Sequence, residues 1–247
     1  MNTIISDIDG TLLGDQEGLK AFNAYLGTLK GRVFIVYASG RSYEEFLNAL
    51  EYEGLMQPDA VIASTGADIY VRKGNGYERD LKWPCIIDSD GWDVDKVRSV
   101  LDALPGLKSQ SARNGYKASY YMDIDRQKEL EITAGRLMKE NRIGVKIIAS
   151  HGIYLDVLPK KCDKGEAAVY LIKSLGLDSG EVIVAGDSEN DVDLFRKFKH
   201  GIIVGNAHAA MKRLLAGHDF YEAKMAAAAG LLEGLKYYAD KNIFRGG

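Results

Sequence analysis

Asp7 and Asp9 stand two residues apart in the segment DIDGT, directly after a short apolar run. Ligands of an open parallel sheet bind outside the carboxyl ends of its strands, so a strand that ends here would hold both carboxylates in a crevice. One carboxylate could attack an electrophile while the other exchanges a proton with the leaving group or with water. Like charges this close resist joint ionisation unless a cation lies between them, which indicates Mg²⁺. Taken alone, the motif also describes an ordinary turn.

Two later segments could supply groups that bind an anion. Ser39, after a second apolar run, could donate a hydrogen bond to an anionic oxygen, and Gly40 lets a ligand approach the backbone. A strand-to-helix turn capped by Ser42 explains this segment equally well. Lys164 follows the predicted helix cap Asp163, so its charge meets the positive end of the helix dipole, an unfavourable place for a structural residue. An ammonium at a helix start suits a phosphoryl group, and a solvated surface lysine is the alternative.

Asp187 and Asp191 form the fourth polar segment, four residues apart after the apolar run at residues 182–185. Carboxylate oxygens, completed by waters and a phosphate, are the ligands that Mg²⁺ prefers. Asp191 could instead be an acidic residue in a first helical turn. All four segments end a predicted strand or open a helix at one edge of the same sheet, which chance placement does not explain. The sequence therefore predicts one site built from all four.

The elements that must position these residues follow the rhythm of a parallel α/β sheet, in which short apolar runs alternate with helical patterns. Each run is short and apolar enough for burial on both faces. Helices are predicted to begin at Ser42, where Glu45 completes a capping box, and at Asp163. The pattern predicts a Rossmann-like core with strands at residues 3–6, 33–38, 60–63, 182–185 and 201–204.

The middle of the chain follows a different order of helix, strands, helix and strands. Residues 116–123 and 145–158 are predicted strands, and the second folds back on itself at His151 and Gly152. Pro84 and Pro159 bracket this block. We therefore expect an α+β domain at residues 83–159, inserted into a core domain formed by residues 1–82 and 160–247. In the core, the alanine run at residues 226–229 predicts a helix packed closely on its neighbour.

The composition excludes several classes of protein. The 247 residues are 46% hydrophobic and 27% charged, which excludes disordered and collagen-like chains. The two cysteines, Cys85 and Cys162, stand far apart, which indicates a reducing cytoplasm instead of a disulfide scaffold. A net charge of −3, with Lys and Arg scattered, argues against a nucleic-acid partner. No leader or membrane-spanning segment is evident, so we expect a cytoplasmic protein with a small-molecule partner.

Taken together, the four polar segments resemble the motifs of the haloacid dehalogenase superfamily of phosphotransferases. The matching segments are, in order, DIDGT, YASGR, Lys164 and GDSEND. The resemblance implies an aspartyl-phosphate mechanism, with Asp7 as the nucleophile and Asp9 as the general acid and base. It also implies phosphoryl contacts from Ser39 and Lys164. The implied Mg²⁺ ligands are Asp7, the backbone carbonyl of Asp9, Asp187, and Asp191, which would bind through water or orient Lys164.

Along nearly its whole length, the chain more narrowly resembles the bacterial and plant sucrose-phosphate phosphatases. The segments that carry this resemblance are LLGDQEGL, YASGRSYEE, GLMQPDAVIASTGADIY, YKASYYMD, DVLPKKCDKGEA and GDSENDVDLF. Ser39 stands where threonine is usual, which keeps the hydroxyl, and Glu189 occupies a variable position. The inserted domain then looks like the mixed cap of the sugar phosphatases. The implied reaction is Mg²⁺-dependent hydrolysis of a sugar phosphate, with sucrose 6-phosphate as the first choice.

The same resemblance implies that both domains contact the sugar phosphate. In the cap, Lys117 lies among tyrosines, whose faces stack on sugars while an ammonium donates to several oxygens. A cross-strand surface lysine is the alternative for this residue. His151 is predicted to lie in a hairpin turn, and none of the four histidines is assigned to a metal. On the core side, the implied substrate-binding residues are Thr11, Gly40, Arg41, Thr65, Gly66, Asp68 and Asn190.

Other functions stay open on the sequence. A phosphatase for mannosylfructose phosphate, for glucosylglycerate phosphate or for many sugar phosphates would share the site. A phospho-receiver also combines acids, a hydroxyl and a lysine, but it lacks an acid/base carboxylate two residues after the phosphorylated one, so Asp9 favours turnover. A sugar-binding module that had lost catalysis should show gaps in the four segments, which are complete. We expect a monomer that acts without nucleic acid or membrane, with association to a sugar-phosphate synthase left open.

Overall fold

The computed structural model describes residues 1–29, 31–88, 91–111 and 113–244. Its strands are β1 (Asn2–Ser6), β2 (Val33–Ala38), β3 (Ala60–Ala63), β4 (Asp68–Lys73), β5 (Gly76–Arg79), β6 (Leu107–Ser109), β7 (Ala118–Met122), β8 (Val145–Ser150), β9 (Tyr154–Pro159), β10 (Val182–Gly186), β11 (His200–Ile203) and β12 (Tyr221–Glu222). Its helices are α1 (Gln16–Thr28), α2 (Tyr43–Tyr52), α3 (Lys82–Ile87), α4 (Val94–Leu101), α5 (Gln127–Glu140), α6 (Lys164–Ser174), α7 (Val192–Lys197), α8 (Ala209–Leu214) and α9 (Ala227–Asp240).

The larger sheet has the strand order β12-β11-β10-β1-β2-β3-β4-β5. Neighbouring strands from β12 to β3 are parallel, and all five predicted core strands lie in this part. β1 lies between β10 and β2, and its residues Ile4 and Ile5 are fully buried in the clusters on opposite faces. Burial on both faces explains why these strands read as continuous apolar runs. The predicted Rossmann-like α/β fold is confirmed.

A hairpin of β4 and β5 extends this sheet with antiparallel strands that the sequence analysis did not predict. β4 begins at the buried Asp68 and ends at the exposed Lys73, so it lacks the continuous apolar run of the parallel strands. β5, at the edge of the sheet, is mostly exposed, so the composition of neither strand separates it from a loop.

Helices cover both faces of the larger sheet. α1 and α9 pack on one face, around Phe22, while α6 and α7 pack on the other, around Leu171. The predicted close packing of the alanine-rich helix is seen between α9 and α1: a side chain at Gly18 would lie 2.7 Å from the backbone nitrogen of Ala229. No helix in the described ranges is long and apolar enough to cross a bilayer.

The smaller sheet has the order β6-β7-β9-β8 and is antiparallel. Together with α4 and α5 it encloses a separate hydrophobic cluster that includes Val97, Tyr120, Leu130 and Leu155. β8 and β9 meet at the turn that contains His151, as predicted. This part of the chain, which we call the cap, is therefore an α+β unit with its own core.

The predicted division of the chain at residues 82/83 and 159/160 stays a prediction. The second crossing falls at the end of β9. Near the first, α3 packs with the larger sheet, because Trp83 and Ile87 belong to the same hydrophobic cluster as Ile62. The indole Nε1 of Trp83 also donates to the backbone carbonyl of Gly66 at 2.7 Å. The chain thus leaves the larger sheet after α3.

Candidate active site

The four polar segments meet at the carboxyl ends of three neighbouring strands. Asp7 follows β1, Ser39 lies after β2 and Asp187 follows β10, while β1 pairs with both of the other strands. Lys164, the first residue of α6, reaches the same place, where its Nζ atom donates to Asp7 Oδ1. The segments converge because parallel strands all end at one edge of their sheet. A cavity of about 420 Å³ opens over this edge, and Asp7 and Asp9 line its core side.

Lys164 is fully buried and uses all its donors within the site. Its Nζ atom donates to Asp7 Oδ1 at 2.6 Å, to Asp191 Oδ1 at 2.7 Å and to Asn190 Oδ1 at 2.9 Å. Burial alone would lower the pKa of this lysine, but attraction to Asp191 and Asp7 outweighs it and holds the pKa above its usual value. Lys164 is therefore a fixed cation beside the Asp7 carboxylate.

The nearby carboxylates carry more negative charge than Lys164 neutralises. Burial raises the pKa of Asp7 well above its usual value, and repulsion from Asp191 and Asp187 adds to the effect although Lys164 opposes it. Burial, with repulsion from Asp191, also raises the pKa of Asp187 to about 7, opposed by Lys164 and by a hydrogen bond from Thr11 Oγ1 at 3.2 Å. Three carboxylates thus face one ammonium, so two negative charges are uncompensated when all three are ionised.

A divalent cation with a preference for oxygen would balance this excess, so the residues fit Mg²⁺. Ligand oxygens of Asp7, Asp187 and Asp191 lie within 4.8 Å of one another. Gly10, at a φ of +79°, leaves room beside them, because a side chain there would lie 2.5 Å from Asp187 Oδ2. Asp191 Oδ2 already accepts the backbone N–H of Asp187 at 3.1 Å, which fixes the turn that carries these acids.

A second group of candidate ligands combines Asp187 with His151 and His208, again within 4.8 Å. Nitrogen donors suit softer ions than Mg²⁺, which takes oxygen ligands. His208 lies 3.4 Å from Glu189 Oε2, and its ring meets the His151 ring edge to face with centroids 4.5 Å apart. The prediction that no histidine binds a metal stays a prediction.

The side chain of Asp9 lies outside the group of buried carboxylates and is half exposed at the cavity mouth. Arg41 holds it with two hydrogen bonds, from Nε to Oδ2 at 2.8 Å and from Nη2 to Oδ1 at 2.6 Å. Arg41 is held in turn by Glu53 at 2.6 Å. This paired fork fixes the direction of the Asp9 carboxylate. Asp9 can therefore exchange a proton with a group in the cavity while Asp7 stays within the charged cluster.

The predicted substrate-binding residues divide into two layers. Gly40, Arg41, Asn190 and Lys117 line the cavity. The others are buried behind them: Thr11 donates to Asp187, and Asp68 accepts hydrogen bonds from Arg79 and Asn114. Thr65 and Gly66 form a buried turn against the Ser39 segment, and Lys117 reaches this turn from the cap.

Cap side chains close the other side of the cavity. Its cap lining consists of Gln110, Lys117, Tyr121, Ser150, His151, Tyr154 and Asp156. The rings of Tyr121 and Tyr154 lie 5.7 Å apart at the wall, on the paired strands β7 and β9. Aromatic faces with nearby hydroxyl and amide groups suit a ligand rich in hydroxyl groups.

Comparison with known proteins places the chain in a family. The sequence profile of the sucrose-6F-phosphate phosphohydrolases matches residues 1–239. The chain belongs to this family. It is therefore a sugar-phosphate phosphatase, a phosphoric monoester hydrolase, and the predicted membership of the haloacid dehalogenase superfamily is confirmed.

Relatives of this phosphohydrolase include curated proteins and solved structures. Mannosylfructose-phosphate phosphatase of Agrobacterium fabrum is 31% identical over 96% of this chain and 97% of its own length. Sucrose-phosphatase 1 of Nicotiana tabacum is 29% identical over 95% of this chain, which spans only 58% of that longer protein. The structure of the Synechocystis sucrose-phosphatase in complex with sucrose and phosphate superposes with a TM-score of 0.86 at 31% identity, covering 96% of this chain and 98% of that one.

The raised pKa of Asp187 predicts that this phosphohydrolase binds its metal in a pH-dependent way. A carboxylate must lose its proton to bind a metal ion, and the pKa of Asp187 is raised to about 7. Below pH 7 the affinity for Mg²⁺ should therefore fall about tenfold per pH unit for this one proton. Calorimetric titration with Mg²⁺ at about pH 6 and about pH 8 measures the change. An equal affinity at both would contradict the prediction.

The stability of the metal-free phosphohydrolase should change with pH in the opposite sense. The pKa of Asp187 is higher in the folded than in the unfolded chain, so the folded state holds the proton more tightly. The free energy of unfolding should therefore fall as the pH rises from about 4 to about 7, and saturating Mg²⁺ should weaken this fall. Urea denaturation with and without Mg²⁺ across this pH range measures the free energy of unfolding and is the control for the binding titration. A free energy of unfolding that does not fall with rising pH would contradict the prediction.

Several residues of the phosphohydrolase site were not found by sequence reasoning. Asp156 pairs with Lys117, Asn114 donates to Asp68, and Glu53 pairs with Arg41. Asn114 and Glu53 resemble ordinary surface polar residues in the sequence. Gln110 and Tyr154 line the cavity without belonging to a recognisable motif. The one usable signal was Asp156 in an otherwise apolar strand, since a lone acid among buried residues requires a partner.

Proposed function

We propose that this phosphohydrolase converts sucrose 6-phosphate to sucrose and phosphate through an aspartyl phosphate formed on Asp7. One observation carries the proposal. Lys164 holds Oδ1 of Asp7 at 2.6 Å in a cavity whose mouth presents Asp9, two residues further on and outside the buried cluster. A nucleophile and an acid/base group with different surroundings are what a two-step phosphoryl transfer requires.

In the first step, an Asp7 carboxylate oxygen attacks phosphorus and the bond from phosphorus to the sugar oxygen breaks. Lys164 fixes the direction of the attacking carboxylate. The Ser39 hydroxyl and nearby backbone N–H groups donate hydrogen bonds to the phosphoryl oxygens. Asp9 gives its proton to the departing sugar oxygen, so that neutral sugar leaves.

In the second step, Asp9 takes a proton from a water molecule, whose oxygen attacks phosphorus and releases the Asp7 carboxylate with phosphate. The two hydrogen bonds from the Arg41 guanidinium keep the Asp9 carboxylate oriented toward the cavity during both steps. Asp7, Asp187 and Asp191, with the backbone carbonyl of Asp9, would hold Mg²⁺, which neutralises phosphoryl charge when bound.

Sucrose 6-phosphate is supported by the Synechocystis relative, whose structure contains sucrose and phosphate. The aromatic wall formed by Tyr121 and Tyr154 suits the sugar. Mannosylfructose phosphate is the second candidate, because the Agrobacterium phosphatase that acts on it has the same 31% identity to this chain. In this proposal, residues 83–159 recognise the sugar. Residues 1–82 and 160–247 carry out the phosphoryl transfer.

The cellular setting is part of the proposal. Cys85 and Cys162 are both free, which supports a reducing, cytoplasmic location. The monomeric state and the association with a sugar-phosphate synthase stay predictions.

Phosphate release from a panel of substrates tests the function. The panel contains sucrose 6-phosphate, mannosylfructose phosphate, glucosylglycerate phosphate and glucose 6-phosphate, each with Mg²⁺ and with a chelator. We expect kcat/KM for sucrose 6-phosphate to exceed the others at least about tenfold, because a pocket that pairs many hydroxyl groups discriminates strongly. A different dominant substrate would replace the proposed one. Equal rates across the panel, or rates unaffected by chelator, would overturn the proposal.

The intermediate can be tested directly with Asp9→Asn. Asp9 also protonates the leaving group in the first step, so the substrate for this test is p-nitrophenyl phosphate, whose leaving group needs no proton. Without the group that activates water, the second step should be the slower one, and the variant should gain the mass of one phosphoryl group after an acid quench. The double variant with Asp7→Asn should gain none. A wild-type protein that is stably phosphorylated but releases no phosphate would instead support the phospho-receiver.

A further inference from the structure

Lys117 crosses from the cap to the core and is almost completely buried, with 8% of its surface exposed. Its Nζ atom lies 2.8 Å from Asp156 Oδ2, 2.9 Å from Thr65 Oγ1 and 3.1 Å from the backbone carbonyl oxygen of Gly40. Asp156 belongs to the cap strand β9, while Thr65 and Gly40 belong to core turns. Lys117 therefore joins the two parts of the molecule.

The ammonium group of a lysine has three N–H donors, and each of the three contacts of Lys117 takes one. A sugar hydroxyl could become an acceptor only by displacing one of them. Displacement of Asp156 would leave a buried carboxylate without its cation, which is among the most unfavourable changes in a protein interior. Thr65 Oγ1 also donates to Asp156 Oδ2 at 2.8 Å, and Ser119 Oγ donates to Asp156 Oδ1 at 2.8 Å. Both carboxylate oxygens of Asp156 therefore have partners within this cluster.

Both core partners of Lys117 are attached to the turn that carries Ser39. Gly40 is part of this turn. The backbone N–H of Thr65 donates to the carbonyl of Ser39 at 2.9 Å, and that of Ser64 donates to the carbonyl of Arg41 at 2.7 Å. The turn at residues 64–66 and the turn at residues 39–41 are thus one hydrogen-bonded unit.

The backbone of the Thr65 turn is strained. Ser64 and Thr65 have φ values of +52° and +59°, in the left-handed region that a β-branched residue rarely adopts. Such a conformation persists only where surrounding contacts hold it, and strain of this kind is common at functional sites. Here the contacts are those of Thr65 with Ser39, Lys117 and Asp156.

We propose that Lys117 is a positioning residue that holds the Ser39–Arg41 turn in the shape that receives the phosphoryl group. It acts through Gly40 and through Thr65, with Asp156 as its counter-ion. The inference rests on the proposed function, which makes this turn a phosphoryl-binding element. It gives Lys117 a different role from the sugar contact that the family resemblance implies.

Two substrates separate these roles: the best sugar phosphate and p-nitrophenyl phosphate, a monoester without a sugar. We expect Lys117→Met to lower kcat for both by a similar factor of about 10 to 100, because a displaced phosphoryl-binding turn affects every monoester. Thr65→Val keeps a β-branched side chain but loses Oγ1, and it should reproduce the defect. The matched control is Lys108→Met, at an exposed lysine on β6, which should leave both rates unchanged.

Affinity for inorganic phosphate in the presence of Mg²⁺ gives the same comparison without turnover. We expect Kd to rise about tenfold or more in Lys117→Met and Thr65→Val, and no further in the double variant, because the two side chains act as one unit. Should Lys117→Met fail to fold, Thr65→Val alone decides the result. Unchanged phosphate affinity, or a defect confined to KM for the sugar phosphate, would overturn the proposal.

This outcome is independent of the test of the proposed function. A wild-type chain that releases no phosphate from any sugar phosphate would defeat the proposed function. The affinity of its variants for inorganic phosphate would still show whether Lys117 shapes the turn.

Discussion

Asp7→Asn is expected to lower turnover at least about 10⁴-fold while making the metal-free protein more stable. The amide has nearly the shape of the carboxylate but cannot act as the attacking oxygen. The gain in stability follows because the pKa of Asp7 is raised by burial and by repulsion from Asp191 and Asp187, in spite of Lys164. At neutral pH and above, its charge therefore destabilises the folded state, and the neutral amide removes that penalty.

Two measurements on the same variant check this prediction: phosphate release from the best substrate, and thermal unfolding with and without Mg²⁺. Each kcal/mol gained should raise Tm by about 2–4 °C in a chain of this size. The difference between wild type and variant should shrink when Mg²⁺ is added, because the cation relieves the same repulsion. Asp219→Asn, at an exposed aspartate, is the control for loss of one negative charge and should change neither quantity. Retained turnover would exclude Asp7 as the nucleophile, and a lower Tm would show that its charge is compensated.

Lys164→Met is expected to have the opposite effect on stability, lowering the free energy of unfolding by about 3–5 kcal/mol. The side chain is fully buried and is the cation that faces Asp7 and Asp191, so its removal leaves both carboxylates unpaired. Turnover should fall at least about 10³-fold, because the attacking carboxylate loses the group that directs it. Urea denaturation and phosphate release measure the two effects.

A second substitution tests the stabilising role of Lys164. Adding Asp191→Asn to Lys164→Met removes one of the unpaired charges, so it should recover part of the stability. Turnover should stay low, because Asp191 is itself a candidate metal ligand. The matched control is Lys173→Met, at an exposed position on the same helix α6, with effects within about 0.5 kcal/mol. Recovery of turnover together with stability would mean that Lys164 acts only through folding.

The convergence of the acids and the lysine could largely be anticipated, because these residues are tied to local signals. Asp7 and Asp187 each come directly after a buried apolar strand, and Lys164 follows a helix cap. Strand ends and helix starts are local properties, and the sheet topology then brings them together without further information. The same argument explains why the five predicted strands of the larger sheet could be located from the sequence.

The contacts between side chains could not be anticipated, because they depend on segments that meet only in the folded chain. Nothing near Arg41 in the sequence indicates that it pairs with Asp9, and nothing near Lys117 indicates that all its donors are used. The aromatic setting of Lys117 suggested a sugar contact, whereas its partners are two core turns and one carboxylate. Side-chain type predicts what a residue can do, and burial decides which of those interactions it makes.

The order of the strands also has a consequence for how the chain folds during synthesis. β1 is completed at once, yet one of its two neighbours is β10, and Ser6 pairs with Ala185 across the whole intervening chain. The sheet of the cap joins only strands between residues 107 and 159, so it can form while β10 is still unsynthesised. Long-range strand pairing is slow, so we expect the cap to be complete on the growing chain while the larger sheet still lacks β10. In that interval one edge of β1 has no partner strand, and an open apolar edge of this kind is prone to aggregation.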